Sequence, residues 1–256
     1  MTDAALVLPS AGPDPIPWDT ALAAVLGYAR GRRPLYFRAP NALSGRWVEL
    51  PAFGYERFDV RPRATGPLGE ADILTAEGLH GRLAPDAWQA MKSRLDDVRP
   101  LADAVLDRAA GRGIHQLPDD EFSVLAEPGT VGALLRQIGQ VAQERPGVRA
   151  KHVFAALHHR SPELVPLLVR TTRWQLLPHV REGDSGVEAV IHRELCANAD
   201  AFEALRRAVS GHGIELPALR LHDVLLWLVA GLRLTHAVAL GRRHEAVALS
   251  GSPREE

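Results

Sequence analysis

The amino-acid sequence predicts a mainly α protein, built as a single helical array with a small irregular or β segment near its N-terminus. From residue 70 onward, apolar residues recur at helical spacing, prolines stand where helices would begin, and connections between helical patterns are short. Before residue 70, prolines crowd a stretch that favours neither long helices nor long strands. A chain of 256 residues is long enough for one or two domains, and the short connections favour one.

The N-terminal part of the chain divides into three segments. Residues 1–16 are rich in Pro, Ala and Gly, which predicts a disordered N-terminal tail. Apolar residues at helical spacing predict a first helix over residues 17–30. Residues 34–69 hold five prolines and are predicted to be irregular, with room for one short hairpin between residues 35–37 and 46–50.

The following residues are predicted to be helical as far as residue 235. Pro85 and Pro100 are each expected to open a separate helix, because proline fits the first helical turn. Pro118, with three acidic residues after it, is expected to open another. Residues 236–256 are predicted to be a C-terminal tail, so the helical domain spans 17–235. Further helices are predicted over 69–84, 131–144, 148–159, 163–180, 186–197, 199–211 and 218–233.

Composition and motifs exclude several classes of protein. The single cysteine, Cys196, rules out a disulfide framework and a thiolate-rich metal site. The histidines lack metal-ligand spacing and no glycine-rich nucleotide motif occurs, so neither a metal ion nor a cofactor is expected. No run of 18 apolar residues and no basic secretory n-region is present, which predicts a cytoplasmic protein without membrane helices.

The near-neutral total charge of −1 hides two oppositely charged segments. Residues 71–128 carry 11 acidic and six basic residues, whereas residues 132–182 carry eight basic and three acidic ones. A solvated charged face is one explanation of the basic segment, and an anion-binding surface is the other. The neutral total therefore does not exclude a protein that binds nucleic acid locally.

The basic segment contains a pattern typical of a phosphate-binding turn. Arg145-Pro146-Gly147-Val148 predicts a tight turn between two helices, and such a turn exposes the backbone N–H groups that begin the second helix. The ligand this suggests is a phosphate group. The predicted phosphate-binding residues are Gly147, Arg149, Lys151, His152, Arg160, Arg170 and Arg173.

Two stretches resemble a known family. Pro146-Gly147-Val148, a helix and then Pro162-Glu163-Leu164-Val165-Pro166 are similar to the helix-hairpin-helix region of the DNA glycosylase superfamily. They are more similar still to a mostly actinobacterial domain-of-unknown-function family of the same appearance. Leu219-Arg220-Leu221-His222-Asp223-Val224-Leu225-Leu226-Trp227 resembles that family's late signature. The resemblance covers about residues 55–232 and implies a helical, DNA-associated protein with a helix-hairpin-helix-like element.

The departures from that pattern concern catalysis. Arg149 replaces the second glycine of the hairpin, and His152-Val153 replaces a Thr-Ala pair. The position that the resemblance assigns to the catalytic aspartate holds Val169, and valine can neither accept a proton nor stabilise a cation. The resemblance therefore implies a diverged, non-catalytic relative that binds duplex DNA.

Two alternatives remain open at this stage. One is a glycosylase-like hydrolase with a relocated carboxylate, for which Asp184, Glu188 and Asp223 are candidates. Asp223 lies among apolar residues and is more simply explained as a paired structural carboxylate. The other alternative is a protein–protein interaction module, in which the acidic and basic segments pair between subunits or with a partner. The sequence does not give the oligomeric state.

Overall fold

The computed structural model describes residues 5–41, 43–124, 128–143 and 150–250, with side chains as far as residue 244. The mainly α fold is confirmed. Within these residues, two small antiparallel sheets lie near the N-terminus, formed by strands Ala5–Leu6 (β1), Ile16–Pro17 (β2), Arg32–Phe37 (β3) and Arg46–Pro51 (β4). The α-helices are Trp18–Arg30 (α1), Glu70–His80 (α2), Pro85–Ala109 (α3), Val131–Gln143 (α4), Ala150–Arg160 (α5), Arg170–Leu176 (α6), Val187–Ala197 (α7), Ala199–Ser210 (α8), Ala218–Ala230 (α9) and Leu234–Ser250 (α10).

The helices pack in two groups around one contiguous hydrophobic cluster. In one group α1 packs against α8, α9 and α10, and in the other α2 packs on α5 and α3 on α4. Helix α7 contacts both α4 and α9 and so joins the groups. Helices α4 and α5 also contact each other. Residues 144–149 between them, with Gly147 and Arg149 of the predicted turn, lie outside the described residues.

The C-terminal segment is not the predicted tail, because residues 234–250 form α10. Small residues allow α10 to cross α1 at very short range. A Cβ added to Gly27 would lie 1.8 Å from the carbonyl oxygen of Ala237, and one added to Gly241 would lie 1.9 Å from that of Ala23. The two glycines thus let the backbones of the two helices touch, which any larger side chain would prevent.

The N-terminal tail prediction is also corrected. Leu6 and Leu8 are almost completely buried, and β1 pairs with β2. The Ser10 backbone N–H donates to Glu194 Oε1 across 2.8 Å, and its hydroxyl donates to Oε2 across 2.7 Å. A short apolar run, Ala-Leu-Val-Leu, therefore outweighs the Pro- and Gly-rich composition and fixes this segment on the helical core.

Prolines mark helix boundaries less simply than the sequence suggested. Pro100 lies inside α3, which runs unbroken from Pro85 to Ala109. Pro100 is on the solvent side, and the buried face of Val98, Ala102 and Val105 continues past it, so packing overrides the missing hydrogen bond. The helix expected over 163–180 begins only at Arg170, because Pro166 disfavours helical geometry in the residue before it. The helix expected after Pro118 is a single 3-10 turn, Asp119–Phe122.

The Pro-rich segment 34–69 contains the predicted hairpin, with β3 and β4 paired over their full length. Beyond it, Phe53, Tyr55 and Phe58 join the core. None of the described helices is long and apolar enough to cross a membrane.

Candidate functional site

A cavity of about 70 Å³ lies where α1, α2 and α9 meet the chain that leads into α6. Its wall includes Val169 and Asp223, the two residues that the sequence singled out for opposite reasons. Val169 stands where the resemblance places a carboxylate, and Asp223 is the candidate for a relocated one. Although 54 positions separate them in the sequence, the fold brings both to one cavity.

Asp223 is held by contacts within the core. Its Oδ2 accepts a hydrogen bond from the backbone N–H of Leu167 across 2.9 Å and lies 3.6 Å from Nδ1 of His158. The imidazole Nδ1 of His158 donates to the carbonyl oxygen of Val165 across 2.7 Å. Burial lowers the pKa of His158 to about 4, so this histidine is neutral near pH 7. The carboxylate of Asp223 thus anchors the segment 163–169 to α9.

Beside Asp223, a charged histidine lies inside the core. Burial alone would lower the pKa of His222, but its interactions with Asp223 and Glu194 outweigh burial and raise that pKa to about 9. The Nε2 of His222 donates to Oε2 of Glu194 across 2.8 Å, and its Nδ1 lies 4.0 Å from Oδ1 of Asp223. His222 is therefore an imidazolium between two carboxylates, and Glu194 links it to Ser10 in the N-terminal segment.

A second polar cluster forms another part of the cavity wall. The Arg220 guanidinium donates to Asp59 Oδ1 across 2.6 Å and to the Tyr28 hydroxyl oxygen across 2.8 Å, and that hydroxyl donates to Asp59 Oδ2 across 2.6 Å. Burial is the main cause that raises the pKa of Tyr28, so the phenol stays protonated. Trp227 packs edge-on against Tyr28 with ring centroids 6.4 Å apart, as expected for a core tryptophan. These side chains fix one another and the cavity with them.

The cavity is too small for a ligand of ordinary size. Pockets that bind small molecules measure about 300–1,000 Å³, well above the 70 Å³ found here. His80, also in the wall, has its pKa lowered to about 3 by burial and is neutral near pH 7. The cavity therefore combines an engaged carboxylate and an engaged guanidinium with a neutral imidazole and aromatic groups, and in this conformation it has no room for a nucleobase.

Three of the predicted phosphate-binding residues are tied to other parts of the fold. His152 is completely buried, and its Nε2 donates to the carbonyl oxygen of Gly81 across 3.0 Å. Lys151 Nζ donates to the carbonyl oxygen of His80 across 3.5 Å. His152 is thus withdrawn from the predicted phosphate-binding set, because no phosphate can reach a buried, internally bonded imidazole.

Arg160 also has an internal role. Its guanidinium donates to the carboxylate of Asp72, which is 1% exposed, and to the carbonyl oxygen of Gly66 across 2.8 Å. This ion pair joins α5 to α2 and to the loop before α2. The structure therefore gives Arg160 a structural partner 88 positions away, which no local sequence pattern indicated.

The remaining two predicted residues, Arg170 and Arg173, lie on α6. Arg170 is exposed, and its guanidinium carbon lies 4.5 Å from the ring centroid of Trp174. Trp174 is itself 61% exposed and does not belong to the hydrophobic core. Arg173 is half-buried and reaches towards Gly139 of α4. The first turns of α6 thus present two arginines and a tryptophan together.

The other candidate acids have structural surroundings. Asp184 forms a two-point ion pair with Arg193 and accepts a hydrogen bond from the backbone N–H of Arg181. Glu188 is buried at the first turn of α7, and burial raises its pKa. Neither residue lines the cavity that contains Val169 and Asp223.

Cys196 has a histidine neighbour that the sequence did not reveal. Its Sγ lies 3.4 Å from Nε2 of His192, one helical turn earlier in α7. That nitrogen, however, donates to the carbonyl oxygen of Leu117 across 2.8 Å, so it cannot accept the thiol proton. Burial raises the pKa of the Cys196 thiol. The pair is therefore not an activated nucleophile.

Among the described residues, no group of three or more His, Cys, Asp or Glu side chains could hold a metal ion. No protein-family model, curated protein or solved structure matches this chain.

Proposed function

We propose that this protein is a cytoplasmic, non-catalytic binder of duplex DNA that contacts backbone phosphates through the surface of α6. The observation that carries the proposal is the exposed Arg170 guanidinium stacked over the exposed ring of Trp174, with Arg173 one turn away. Held on an aromatic face, a guanidinium keeps its donors directed outward and loses little entropy when it binds a phosphate.

Neighbouring charges support an anion-binding surface at this place. Arg136 of α4 is exposed and, like Arg173, acts electrostatically on Glu188, which places the three residues close together. Burial of the Glu188 carboxyl raises its pKa. Gly147 and Arg149 remain part of the proposal on the strength of the sequence alone.

The properties of the cavity beside α6 support the proposal that the protein is not catalytic. Val169 directly precedes Arg170 and offers no proton acceptor, Asp223 is engaged by Leu167, and the volume of about 70 Å³ excludes a nucleobase. A protein that binds phosphates without taking up a base is the function most consistent with these facts.

The test is fluorescence anisotropy with a labelled DNA duplex of about 20 base pairs at several NaCl concentrations. We expect Arg170→Glu/Arg173→Glu to weaken binding. The plot of log affinity against log salt should flatten by about 0.9 for each phosphate that the variant no longer neutralises. The matched control is Arg207→Glu/Arg243→Glu, the same charge change at exposed positions of α8 and α10. Equal weakening by both double variants would reduce the effect to net charge and contradict the proposed surface.

A second candidate is a glycosylase-like hydrolase that uses Asp223 as a relocated acid. The observation that favours it is the shared cavity of Asp223 and Val169. This function requires the cavity to open, and it predicts base release from oligonucleotides that carry damaged or mismatched bases. Release by the wild type that disappears in Asp223→Asn, with an unchanged circular dichroism spectrum, would favour it over the non-catalytic binder.

A further inference from the structure

The β3–β4 hairpin, called the ribbon below, is exposed on both faces. All six residues of β3 are exposed, and those of β4 are exposed or half-exposed. A two-stranded hairpin is marginally stable on its own in water, and exposed apolar side chains gathered in one place mark an interaction surface. The ribbon therefore has the character of a contact element and not of a part of the core.

Aromatic side chains occupy both faces of the ribbon. The strand register pairs Tyr36 with Trp47 on one face, where the rings meet edge-on with centroids 5.4 Å apart. Phe37 lies on the other face. Tyr36 is 51%, Phe37 49% and Trp47 69% exposed. A partner that uses all three rings must enclose the ribbon from both sides.

The charge of the ribbon is strongly positive. From residue 32 to residue 51 the chain has four arginines and one acidic residue, Glu49. Arg32 pairs with Glu56 at the root of the ribbon. Within the described part of the chain, neither Arg33 nor Arg46 lies within ion-pair distance of a carboxylate. Both lie on the face that carries Phe37. The partner is therefore expected to be an anion.

We infer that the ribbon binds unpaired nucleotides of a nucleic acid strand. Bases stack on aromatic rings whatever their sequence, and phosphates pair with arginine, so a flexible single strand can use both faces of the ribbon at once. A lipid surface is flat and would cover one face only. A second copy of the ribbon would bring like charges together. Single-stranded nucleic acid is thus the partner that fits the shape, the rings and the charge.

The root of the ribbon lies close to the proposed duplex-binding surface. Ala52, directly after β4, donates its backbone N–H to the carbonyl oxygen of Gly31, directly before β3, across 2.8 Å. Gly54, two residues further on, lines the same cavity as Val169, the residue before Arg170. The inference goes beyond duplex binding and stands without it. If both hold, the protein has adjoining surfaces for paired and unpaired nucleic acid.

The experiment measures fluorescence anisotropy of a labelled single-stranded DNA of about 20 nucleotides and mixed sequence, titrated with the full chain at low salt. We expect Tyr36→Ala/Trp47→Ala to weaken binding at least about fivefold, which is the smallest effect expected when one stacked base loses its aromatic ring. Tyr36→Phe/Trp47→Phe keeps an aromatic ring at both positions and should stay within about twofold of wild type, although it removes the hydroxyl oxygen that accepts a hydrogen bond from the Gly45 backbone N–H. Arg33→Gln/Arg46→Gln should weaken binding and reduce its salt dependence, whereas the control Arg207→Gln/Arg243→Gln should not.

Arg170→Glu/Arg173→Glu separates the two surfaces, since it should impair duplex binding and leave the effect of the ribbon variants on single strands in place. Equal single-strand affinity of wild type and Tyr36→Ala/Trp47→Ala, or no single-strand binding by the wild type, overturns the inference. Two further outcomes overturn it in favour of another partner. One is ring-dependent binding to phosphatidylserine vesicles with single-strand binding unaffected, and the other is ring-dependent self-association in sedimentation velocity.

Discussion

Glu194 and His222 meet inside the core, where Nε2 of His222 donates a hydrogen bond to Oε2 of Glu194 across 2.8 Å. Glu194 also receives two hydrogen bonds from Ser10. One ion pair therefore links α7, α9 and the N-terminal segment. The protonation of His222 therefore makes the stability of α7, α9 and the N-terminal segment depend on pH.

The pH dependence of stability follows from the raised pKa of His222. In the unfolded chain histidine titrates near 6.5, and in the folded protein the pKa of His222 is about 9. A raised pKa contributes stability that is fully present below pH 6.5 and is lost as the pH rises to about 9. We expect the free energy of unfolding, measured with urea at pH 6.5, 8 and 9.5, to fall across this interval by up to roughly 3 kcal/mol.

His222→Gln should remove most of that alkaline slope. The variant should also be less stable at pH 6.5, because Glu194 would remain buried without its cation. An alkaline slope identical in wild type and His222→Gln would contradict the assignment of the charge to this histidine.

At acid pH the dependence of stability on pH has the opposite sign, and a different histidine causes it. The lowered pKa of His158, about 4, opposes protonation in the core, so its contribution to stability is lost as the pH falls below 6.5.

The crossing of α1 and α10 should not tolerate a methyl group. Gly27→Ala places a Cβ within 1.8 Å of a backbone carbonyl oxygen, and backbone can yield only if the helices separate. We expect a destabilisation of about 3 kcal/mol or more, at the upper end for overpacked cores, measured by urea denaturation. Gly139→Ala is the matched control, since its nearest contact would be an ordinary 3.5 Å to Phe154. That variant should be neutral or slightly stabilising.

Arg160 provides a test between a structural and a phosphate-binding role. Arg160→Met should lower the free energy of unfolding by about 3–5 kcal/mol, because the buried Asp72 carboxylate loses its partner. Lys92→Met, which breaks an ion pair exposed on both sides, should change stability by less than about 1 kcal/mol. DNA affinity of folded Arg160→Met should equal that of the wild type. A normal stability combined with a loss of DNA affinity would restore Arg160 to the phosphate-binding surface.

Cys196 should react as an ordinary or slower thiol. Burial raises its pKa, so the rate of alkylation by iodoacetamide should rise with pH towards a midpoint above the usual value for cysteine. His192→Ala should leave the rate at pH 7 nearly unchanged. A marked fall in that rate would reveal a thiolate–imidazolium pair, contrary to the hydrogen bond from His192 to Leu117.

Local periodicity predicted the helices well where one face of the helix meets the core. The bounds of α1, α7, α8 and α9 differ from the predicted ones by up to three residues. Where tertiary contacts decide, the sequence was less informative. Ala-Leu-Val-Leu is too short for a pattern, and the segment is held by Asn198, whose side chain accepts a hydrogen bond from the Val7 backbone N–H 191 positions away. In a sequence, a glycine such as Gly241 argues against a helix. Here Gly241 lies inside a helix and permits its close crossing with α1.

The candidate site was predictable only in parts. Motif position singled out Val169 and Asp223 separately, but nothing local indicated that they share a cavity. The positions of the arginines are given by the sequence, whereas the groups that they contact could not be predicted from it. The sequence alone does not distinguish Arg160 from Arg170. In the structure Arg160 pairs with a buried carboxylate, whereas Arg170 stacks on an exposed ring. The hairpin of the ribbon was predicted from the sequence. The exposure of both its faces depends on how the rest of the chain packs, which local sequence does not show.

The glycine crossing of α1 and α10 also constrains the order of folding. Gly27 and Gly241 lie more than 200 residues apart in the chain, so α1 leaves the ribosome long before its partner exists. Until α10 arrives, the apolar face of α1 around Gly27 stays uncovered and open to wrong contacts. Contacts between such distant segments form late and slow the search for the native state. The first helix to be made is thus among the last to be completed.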